Sequence, residues 1–454
     1  MIEKIQLKNH PVLGNLSLDL TDSSGGAYKT IVLAGENGVG KTNILELLCG
    51  FLTLGSFKAF DFLQYRINGI SYKIWATDND NSALGFHRRK KMSDSDDSAV
   101  IIHTNSNNNR SRIDEDFEDI RHYGCVYTKA KSGFKTSKIQ SSTTSQLDSS
   151  KYEKDENDDY TSVKQLIVDL NSQDNSRLSR LIRDAKNPAE TMLAKETMER
   201  EGKLKRFEAS FNSFFDRIKF VGVNEDDPNE KKIEFEKNGR IVSIDKLSTG
   251  EKQIVFRGAY LLRNSKNLRG GMVLIDEPEL SMHPKWQEKI LSFYRSLFSD
   301  ERGQFSQIII ATHSEYVIKS ALEDENNTLV YSLSDNAGVI EAKKIDSPLA
   351  LPTITFAETN YITFGIPSHD YHIELYGYLQ VKFSKASVKD ADDFIANHSL
   401  YNPLIHSKPS SHGSTTYQTL STYIRNAIDH PDNGNTFTQD ELNVSIQLLK
   451  EILT

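Results

Sequence analysis

The sequence predicts an α/β protein with a parallel sheet, followed by a mostly helical C-terminal region. Residues 30–34 form a short apolar run, which is typical of a strand buried on both faces. A glycine-rich loop and an apolar helix follow it. Two further apolar runs, at 272–275 and 307–311, alternate with helical patterns, as the strands of a parallel sheet do. Beyond about residue 350 the apolar residues recur at helical spacing.

The remaining segments divide the chain into two predicted domains, at 1–345 and 346–454. Residues 76–160 are crowded with Ser, Asn and Asp, which predicts a polar insertion with little core of its own. The other predicted elements are half-buried strands at 2–7 and 16–20, a helix at 43–54, a strand at 125–127, a helical arm at 161–216, a last strand of the α/β domain at 329–331, and two helices within 414–453 that are split by residues 430–434.

Composition limits the classes of function. The 454 residues carry 55 Lys and Arg against 63 Asp and Glu, a net charge of −8, which excludes a uniformly basic nucleic-acid coat. The two cysteines, Cys49 and Cys125, cannot form a disulfide framework, so we expect a reducing, cytoplasmic environment. The most apolar stretch, at 44–57, is too short to cross a bilayer, and we expect no role in a membrane.

A phosphate-binding loop is the strongest motif. Residues 35–42 read GENGVGKT and fit the pattern GxxxxGK[ST] between a predicted strand and a predicted helix. The backbone N–H groups of such a loop and the N-terminus of its helix bind phosphate oxygens, Lys41 can reach the β- and γ-phosphates of ATP, and the Thr42 hydroxyl can ligate Mg²⁺. The residues predicted to bind the nucleotide here are Gly35, Asn37, Gly38, Val39, Gly40, Lys41, Thr42 and Asn43.

Two carboxylates end the apolar strand at 272–275. Asp276 is placed to hold Mg²⁺, together with Thr42, and Glu277 is placed to polarise the attacking water as a general base. A polar turn after a strand is common by itself. With the phosphate loop upstream, the pair predicts Mg²⁺-dependent ATP hydrolysis.

Residues 247–253, LSTGEKQ, resemble the LSGGQ signature of ABC-class ATPases, with Thr249 in place of the usual glycine. The order of phosphate loop, signature, acidic strand end and the ATHS sequence at 311–314 resembles the head domains of the SMC and RecF-like families over residues 1–335. The resemblance implies a P-loop ABC-type ATPase head with a helical insertion. It also implies that two heads bind head to tail around two ATP molecules.

The same resemblance assigns roles to individual residues. Ser248, Gly250 and Glu251 of one subunit would contact the nucleotide held by the phosphate loop of the other. A helix that begins at Ser248 suits this role, because its free N–H groups and its dipole attract an anion. His313 would be the switch histidine that contacts the γ-phosphate. The predicted catalytic residues are therefore Lys41, Glu277 and His313.

Two parts of the family pattern stay open. Residues 281–284, SMHP, stand where the family has a loop that crosses the dimer, and they also fit a helix N-terminus with Pro284 in the first turn. Gln64 and Gln140 are both candidates for the glutamine of the family's Q-loop.

A narrower resemblance concerns the sequences at 124–127, 132–136, 141–144, 358–361 and 372–378. They are similar to the PtuA ATPases of the Septu antiphage systems, which also occur beside some retrons. This resemblance implies an HNH nuclease partner of the PtuB type and a role in defence against phage. It leaves open a further partner, either nucleic acid or the reverse transcriptase–ncRNA of a retron.

Three other features suggest alternative functions. Asp390 and Asp392 have the spacing of the TOPRIM nucleases in the OLD family, but no apolar strand precedes them, so a solvated helix N-terminus is favoured. Arg425 and His430 fit the RNxxxH spacing of HEPN ribonucleases, although an amphipathic helix that ends at Pro431 explains them too. The basic run at 88–91 is followed by acidic residues, which favours a solvated loop over a phosphate contact.

The alternative classes are therefore a DNA-repair or chromosome-type RecF/SMC-like ATPase and a HEPN-like ribonuclease. The first shares the nucleotide motifs with the favoured defence ATPase. The second depends on the C-terminal helices alone.

Overall fold

A computed structural model describes most of the chain. The described residues are 1–53, 59–76, 87–95, 98–102, 113, 115–130, 152–154, 161–227, 229–263, 268–324, 326–412 and 414–454. They form two compact units, Met1–Lys344 and Ile345–Thr454. None of the described helices has the length and apolar character needed to cross a membrane.

The strands and helices are as follows. The strands are β1 (Ile2–Leu7), β2 (Ser17–Asp19), β3 (Thr30–Gly35), β4 (Phe60–Ile67), β5 (Ile70–Ala76), β6 (His87–Lys91), β7 (Val100–Ile102), β8 (Cys125–Thr128), β9 (Tyr152–Lys154), β10 (Ile218–Asn224), β11 (Lys232–Lys237), β12 (Arg240–Ser243), β13 (Met272–Asp276), β14 (Ser299–Asp300), β15 (Gly303–Gln304), β16 (Gln307–Thr312), β17 (Thr328–Asn336), β18 (Val339–Ile345), β19 (Ser407–His412) and β20 (Thr415–Thr419). The α-helices are α1 (Lys41–Leu52), α2 (Thr161–Asp184), α3 (Pro188–Glu201), α4 (Lys203–Phe214), α5 (Thr249–Leu262), α6 (Pro284–Gln287), α7 (Ile290–Leu297), α8 (Glu315–Leu322), α9 (Phe356–Phe364), α10 (His369–Lys382), α11 (Val388–Ala396), α12 (Pro403–His406), α13 (Leu420–Asp429) and α14 (Gln439–Leu453).

The main sheet of the first unit has the strand order β18-β17-β3-β16-β13-β8-β9. From β17 to β9 the neighbouring strands pair in parallel. Every residue of β3, β13 and β16 is buried, as expected for strands covered on both faces. The predicted parallel α/β class is confirmed.

A second, antiparallel sheet has the order β2-β1-β4-β5-β6-β7. Its buried apolar side chains join those of α1 and of the main sheet in one core cluster, which includes Leu48, Phe51 and Tyr65. This burial explains why the first two predicted strands alternate in hydrophobicity, since only one face of each meets the core. The predicted helix at 43–54 begins two residues earlier, at Lys41.

The predicted arm at 161–216 is helical and consists of α2, α3 and α4. Phenylalanines anchor it to the three-stranded sheet β10-β11-β12, with the rings of Phe207 and Phe211 within 5.5 Å, centroid to centroid, of Phe220 and Phe235. Such tilted and edge-on ring pairs add to the free energy gained from burying the rings.

Two predictions of local structure are wrong. Residues 88–91 lie in β6 and not in a solvated loop, because Arg89 is buried against carboxylates, with Nη1 2.8 Å from Asp116 Oδ2. The strand at 329–331 is not the last of its domain, since β18 follows it. The insertion at 76–160 adds strands to both large sheets where it is described, and the strand predicted at 125–127 is present as β8. Gln140 and the sequences at 132–136 and 141–144 lie outside the described residues.

The second unit is mostly helical, as predicted, but it also contains the β19–β20 hairpin. Asp390 is exposed in the first turn of α11, whereas Asp392 is fully buried. The Asp392 carboxylate accepts hydrogen bonds from the backbone N–H groups of Gln418 and Thr419 and from the Thr419 hydroxyl. Asp392 therefore ties α11 to the end of the hairpin, and the expectation of a solvated position is wrong for it.

A buried histidine links two helices of this unit. The Nε2 atom of His372 in α10 lies 2.9 Å from the hydroxyl of Ser445 in α14, and that hydroxyl donates to Ser421 at 2.7 Å. The side chain is inaccessible to solvent, and burial lowers the pKa of His372 from its ordinary value of 6.5 to about 3. The neutral imidazole is thus the form that fits the folded state.

We expect acid to destabilise the chain partly through His372. Because the folded-state pKa is depressed, the stabilisation is complete above pH 6.5 and is lost progressively as the pH falls toward 3. Between pH 7 and pH 5 the chain should lose about 2 kcal/mol more of its free energy of unfolding than a His372→Gln variant does. Urea denaturation of both proteins at the two pH values measures this difference.

A His398→Gln variant is the matched control, because its ring is partly exposed. It should keep the pH dependence of the unchanged protein. Equal pH dependence in the His372→Gln variant would contradict the prediction.

Candidate functional site

Three parallel strands bring the predicted motifs to one edge of the sheet. Ala34 at the end of β3 pairs with Thr312 in β16, and Ala311 pairs with Asp276 at the end of β13. The phosphate loop and His313 begin directly after these positions, and the acidic pair begins at Asp276 itself. Their convergence follows from the register, since the carboxyl ends of parallel strands share an edge.

The phosphate loop depends on glycines at two positions. A side chain at Gly35 would place its Cβ 2.3 Å from the carbonyl oxygen of Leu333, and Gly40, which starts α1, has φ +84° and would contact Leu13. The Lys41 ammonium donates to the carbonyl oxygens of Gly35 and Glu36, both at 2.7 Å. Burial lowers its pKa, while the nearby carboxylates oppose that shift. The ammonium is therefore fixed against the loop.

The predicted magnesium ligands lie in contact. The Thr42 hydroxyl donates to Asp276, with distances of 3.0 and 3.2 Å to the two carboxylate oxygens, although 234 residues separate them in the chain. Burial raises the pKa of Asp276, and the Tyr127 hydroxyl is buried beside it. A hydroxyl and a carboxylate are the oxygen donors that Mg²⁺ prefers. The residues therefore fit this ion.

In the described part of the chain, no group of three or more His, Cys, Asp or Glu side chains could hold a metal ion. Mg²⁺ at phosphate sites commonly uses one or two protein oxygens, with water and phosphate oxygens as the other ligands.

Glu277 has a strained backbone, with φ +43°. Its N–H donates to the carbonyl oxygen of Ala311 at 2.9 Å, and its carboxylate lies 3.4 Å from Nδ1 of His313. A residue other than glycine rarely adopts this conformation, which costs of order 1–3 kcal/mol and is concentrated at functional sites. The strained residue is thus the one whose carboxylate lies beside the His313 imidazole at this edge of the sheet.

Arg257 in α5 is a functional residue that the motifs do not reveal. Its buried guanidinium donates to the carbonyl oxygens of Asp276, at 2.9 Å, and of Glu277, at 3.1 Å. A third bond reaches the carbonyl oxygen of Lys129 at 3.0 Å. The only signal in the sequence is one arginine within an otherwise apolar stretch of helix. Arg257 thus holds the backbone of the acidic pair in place.

Glu279 is a second such residue. Its buried carboxylate accepts a hydrogen bond from the Thr312 hydroxyl at 2.6 Å and one from the His313 N–H at 3.0 Å. The same oxygen lies 3.5 Å from His313 Nδ1. The position of the histidine is therefore set by a carboxylate two residues beyond Glu277.

The helix of the signature begins as predicted, with Ser248 as its N-cap. The Ser248 hydroxyl accepts from the Glu251 N–H, and the Glu251 carboxylate accepts from the Ser248 N–H at 2.8 Å, which is a capping box. Lys237 also donates to both Glu251 oxygens, at 2.8 and 2.9 Å. Glu251 is thus engaged within its own chain, whereas Ser248 and Thr249 are exposed.

The loop at 281–284 touches this helix. A side chain at Gly250 would place its Cβ 2.7 Å from the carbonyl oxygen of Ser281, a residue that itself has φ +62°. His283 caps the short helix α6, and Pro284 is its first residue. The helix N-terminus expected for this segment is present, and the segment also borders the signature.

The other candidates lie elsewhere. Gln64 is inside β4 and donates to the Met92 sulfur. In the second unit Arg425 pairs with Asp429 at 2.7 Å, one turn along α13. His430 is the C-cap of that helix, and its ring stacks on His412 with centroids 4.7 Å apart. The guanidinium of Arg425 is thus engaged by a carboxylate of its own helix.

Comparison with known proteins identifies a partial relative. Over 98 residues the chain is 34% identical to the Retron Vc95 probable ATPase of Vibrio cholerae serotype O1 biovar El Tor. This similarity spans 20% of the chain and 18% of the relative's length.

Solved structures of SMC heads are also similar. One is the SmcHead bound to the C-winged helix domain of ScpA, with 15% identity and a TM-score of 0.39, covering 76% of this chain and 98% of that one. Another is the SMC head domain from Thermotoga maritima, with 15% identity and a TM-score of 0.37 over the same shares of the two chains.

A family model covers most of the first unit. Residues 31–319 match AAA_21, described as "AAA domain, putative AbiEii toxin, Type IV TA system". The match includes the phosphate loop, the signature, the acidic pair and His313. The chain therefore belongs to the AAA_21 family and carries an ATPase domain of the AAA type.

Proposed function

We propose that the chain hydrolyses ATP with Mg²⁺ at an interface between two copies of itself, and that its nucleotide state regulates an HNH nuclease partner of the PtuB type in antiphage defence. The contact between Thr42 and Asp276, at 3.0 Å and beside Lys41, is the observation that carries the ATP chemistry. It joins two distant motifs into one set of phosphate and metal ligands.

The phosphate loop binds the triphosphate. Its backbone N–H groups and the N-terminus of α1 contact phosphate oxygens, and the Lys41 ammonium exchanges its carbonyl partners for β- and γ-phosphate oxygens. Thr42 and Asp276 would hold Mg²⁺, which would neutralise negative charge on the phosphates.

Glu277 accepts the proton of the attacking water. As the water oxygen bonds to the γ-phosphorus, the bond to the β–γ bridging oxygen breaks, and ADP and phosphate form. Arg257 fixes the backbone of Glu277, and Glu279 fixes His313 beside it, so that the carboxylate and the imidazole address the same phosphate. His313 is partly exposed, which leaves it accessible to a γ-phosphate.

Each chain exposes two separate parts of a nucleotide site, here called half-sites, and this supports hydrolysis between copies. Residues 36–38 of the phosphate loop are exposed, and so are Ser248 and Thr249 at the start of α5. The free N–H groups of that helix start would face the γ-phosphate bound by the second copy. A homodimer, alone or within a higher oligomer, satisfies both half-sites at once.

The defence role rests on similarity. The segment similar to the Retron Vc95 probable ATPase and the resemblance to the PtuA ATPases both support it. In this proposal the ATPase controls the activity of the partner nuclease, and the partner cuts nucleic acid. Slow hydrolysis suits such a switch, because the dimer then persists for as long as ATP is bound.

A Glu277→Gln variant should bind ATP but hydrolyse it at least about 100-fold more slowly, because it loses the proton acceptor and keeps the phosphate ligands. Single-turnover hydrolysis and size-exclusion chromatography with ATP should show persistent ATP-bound dimers. Glu288→Gln, a surface carboxylate that pairs with Lys319, is the control and should leave the rate unchanged. Normal turnover by the Glu277→Gln variant would end the assignment.

Mixing two inactive variants tests hydrolysis between copies. Lys41→Ala removes a phosphate ligand, and Thr249→Glu places a negative charge opposite the γ-phosphate while suiting the first turn of α5. Mixed dimers contain one intact site, so an equal mixture should regain about a quarter of the unchanged activity.

The neutral Thr249→Gln variant is the control and should stay active alone. A mixture no more active than its components would exclude a site shared between copies.

The partner is tested by co-purification. The Glu277→Gln chain, co-expressed with a PtuB-type HNH nuclease, should retain the nuclease on an affinity column in a manner that depends on ATP. The Lys41→Ala chain serves as the nucleotide-free comparison. Equal retention by both chains would refute regulation by nucleotide, and no retention by either would refute the partner.

A further inference from the structure

The first unit has a cavity that lies apart from the phosphate loop. It has a volume of about 990 Å³ and is lined by the arm helices α2, α3 and α4 and by residues 299–305. Among the described residues that line it, none belongs to the phosphate loop, the acidic pair or the signature. Its size is in the range of pockets that enclose small-molecule ligands.

The lining is strongly basic although the whole chain carries a net charge of −8. Seven of the described lining side chains are cationic and four are acidic. Three acidic groups are engaged in ion pairs, namely Glu201 with Arg177 at 2.6 Å, Asp300 with Arg269 at 2.6 Å and Glu301 with Arg200 at 3.1 Å. These pairs still leave an excess of positive charge facing the cavity.

Arg180 is the clearest part of that excess. It lies on α2, it is exposed, and it forms no ion pair with any described residue. Arg302, in the turn between β14 and β15, adds a second guanidinium to the lining. Two separate elements of the chain thus present guanidinium groups to one space.

Hydrogen bonds and a ring contact fix several of the side chains that line the cavity. The buried Lys203 ammonium donates to the carbonyl oxygen of Arg263 at 3.0 Å, just beyond α5. The Asp174 carboxylate accepts from the Leu204 N–H at 2.9 Å, which joins α2 to α4. The Arg269 guanidinium lies 4.8 Å from the centroid of the Phe305 ring. Because groups of the chain itself make these contacts, little ordering is required for a ligand to bind.

We propose that this cavity binds a small ligand that carries several phosphate groups. A guanidinium donates two parallel hydrogen bonds to a phosphate. Several guanidinium groups around one cavity can therefore bind several phosphates of one ligand, which favours a ligand with more than one phosphate. The site is separate from the ATP site and does not depend on hydrolysis there.

Titration with sodium tripolyphosphate tests the site. The titration uses the full-length Lys41→Ala chain, in which the phosphate loop has lost its ammonium. Isothermal calorimetry should show about one tripolyphosphate bound per chain, and the added pair of changes Arg180→Glu and Arg302→Glu should weaken binding at least about tenfold. The matched control, Arg183→Glu with Arg217→Glu, changes two exposed arginines outside the cavity and should bind as the parent does.

Three outcomes would overturn the proposal. They are no binding of tripolyphosphate to the Lys41→Ala chain, equal weakening by both pairs of changes, and unchanged binding after Arg180→Glu with Arg302→Glu. A short duplex DNA is titrated in parallel. If the duplex alone binds, and binds less well after the cavity changes, the cavity is a nucleic-acid surface and the small-ligand proposal is wrong.

Discussion

The hydrogen-bond register of β3, β16 and β13 is the constraint on which the site depends. Because Ala34 pairs with Thr312 and Ala311 with Asp276, three loops leave the sheet at the same level. A shift of one residue in either pairing would turn the following side chains to the opposite face. Both faces of these strands are buried and close-packed, so such a shift would require the side chains on both faces to repack. The geometry of the candidate site thus follows from the packing of the sheet.

Arg257 extends this constraint to the signature. A buried guanidinium is costly unless its donors are satisfied, and here three carbonyl oxygens and the Gln253 side chain accept from it. Ser248 caps the same helix nine residues earlier, about 14 Å away along the axis. One helix therefore connects the exposed Ser248 to the backbone of Glu277. In the proposed dimer, a second copy that contacts Ser248 would act on the backbone of Glu277 through this helix.

The sequence predicts the nucleotide site where the chemistry is local. The phosphate loop, the acidic pair and the capping box each lie within a few neighbouring residues, and the strand or helix beside each follows from its own hydrophobicity. Arg257 and Glu279 could not be predicted in this way, because each acts on atoms that only the fold brings near. The β19–β20 hairpin is likewise hidden, since its strands are polar and largely exposed.

The basic run at 88–91 shows why the charge pattern along a chain can give a wrong prediction of burial. The acidic residues that follow it suggest local compensation, which is typical of a solvated loop. The carboxylates that engage the buried Arg89 are instead those of Asp116, at 2.8 Å, and Glu118, at 3.4 Å. Enclosing a guanidinium requires partners held at a fixed distance, and a turn at 116–119, almost thirty residues along the chain, provides them. Charge balance in sequence therefore predicts solubility, whereas the partners of a buried charge are set by contacts between segments that are distant in the chain.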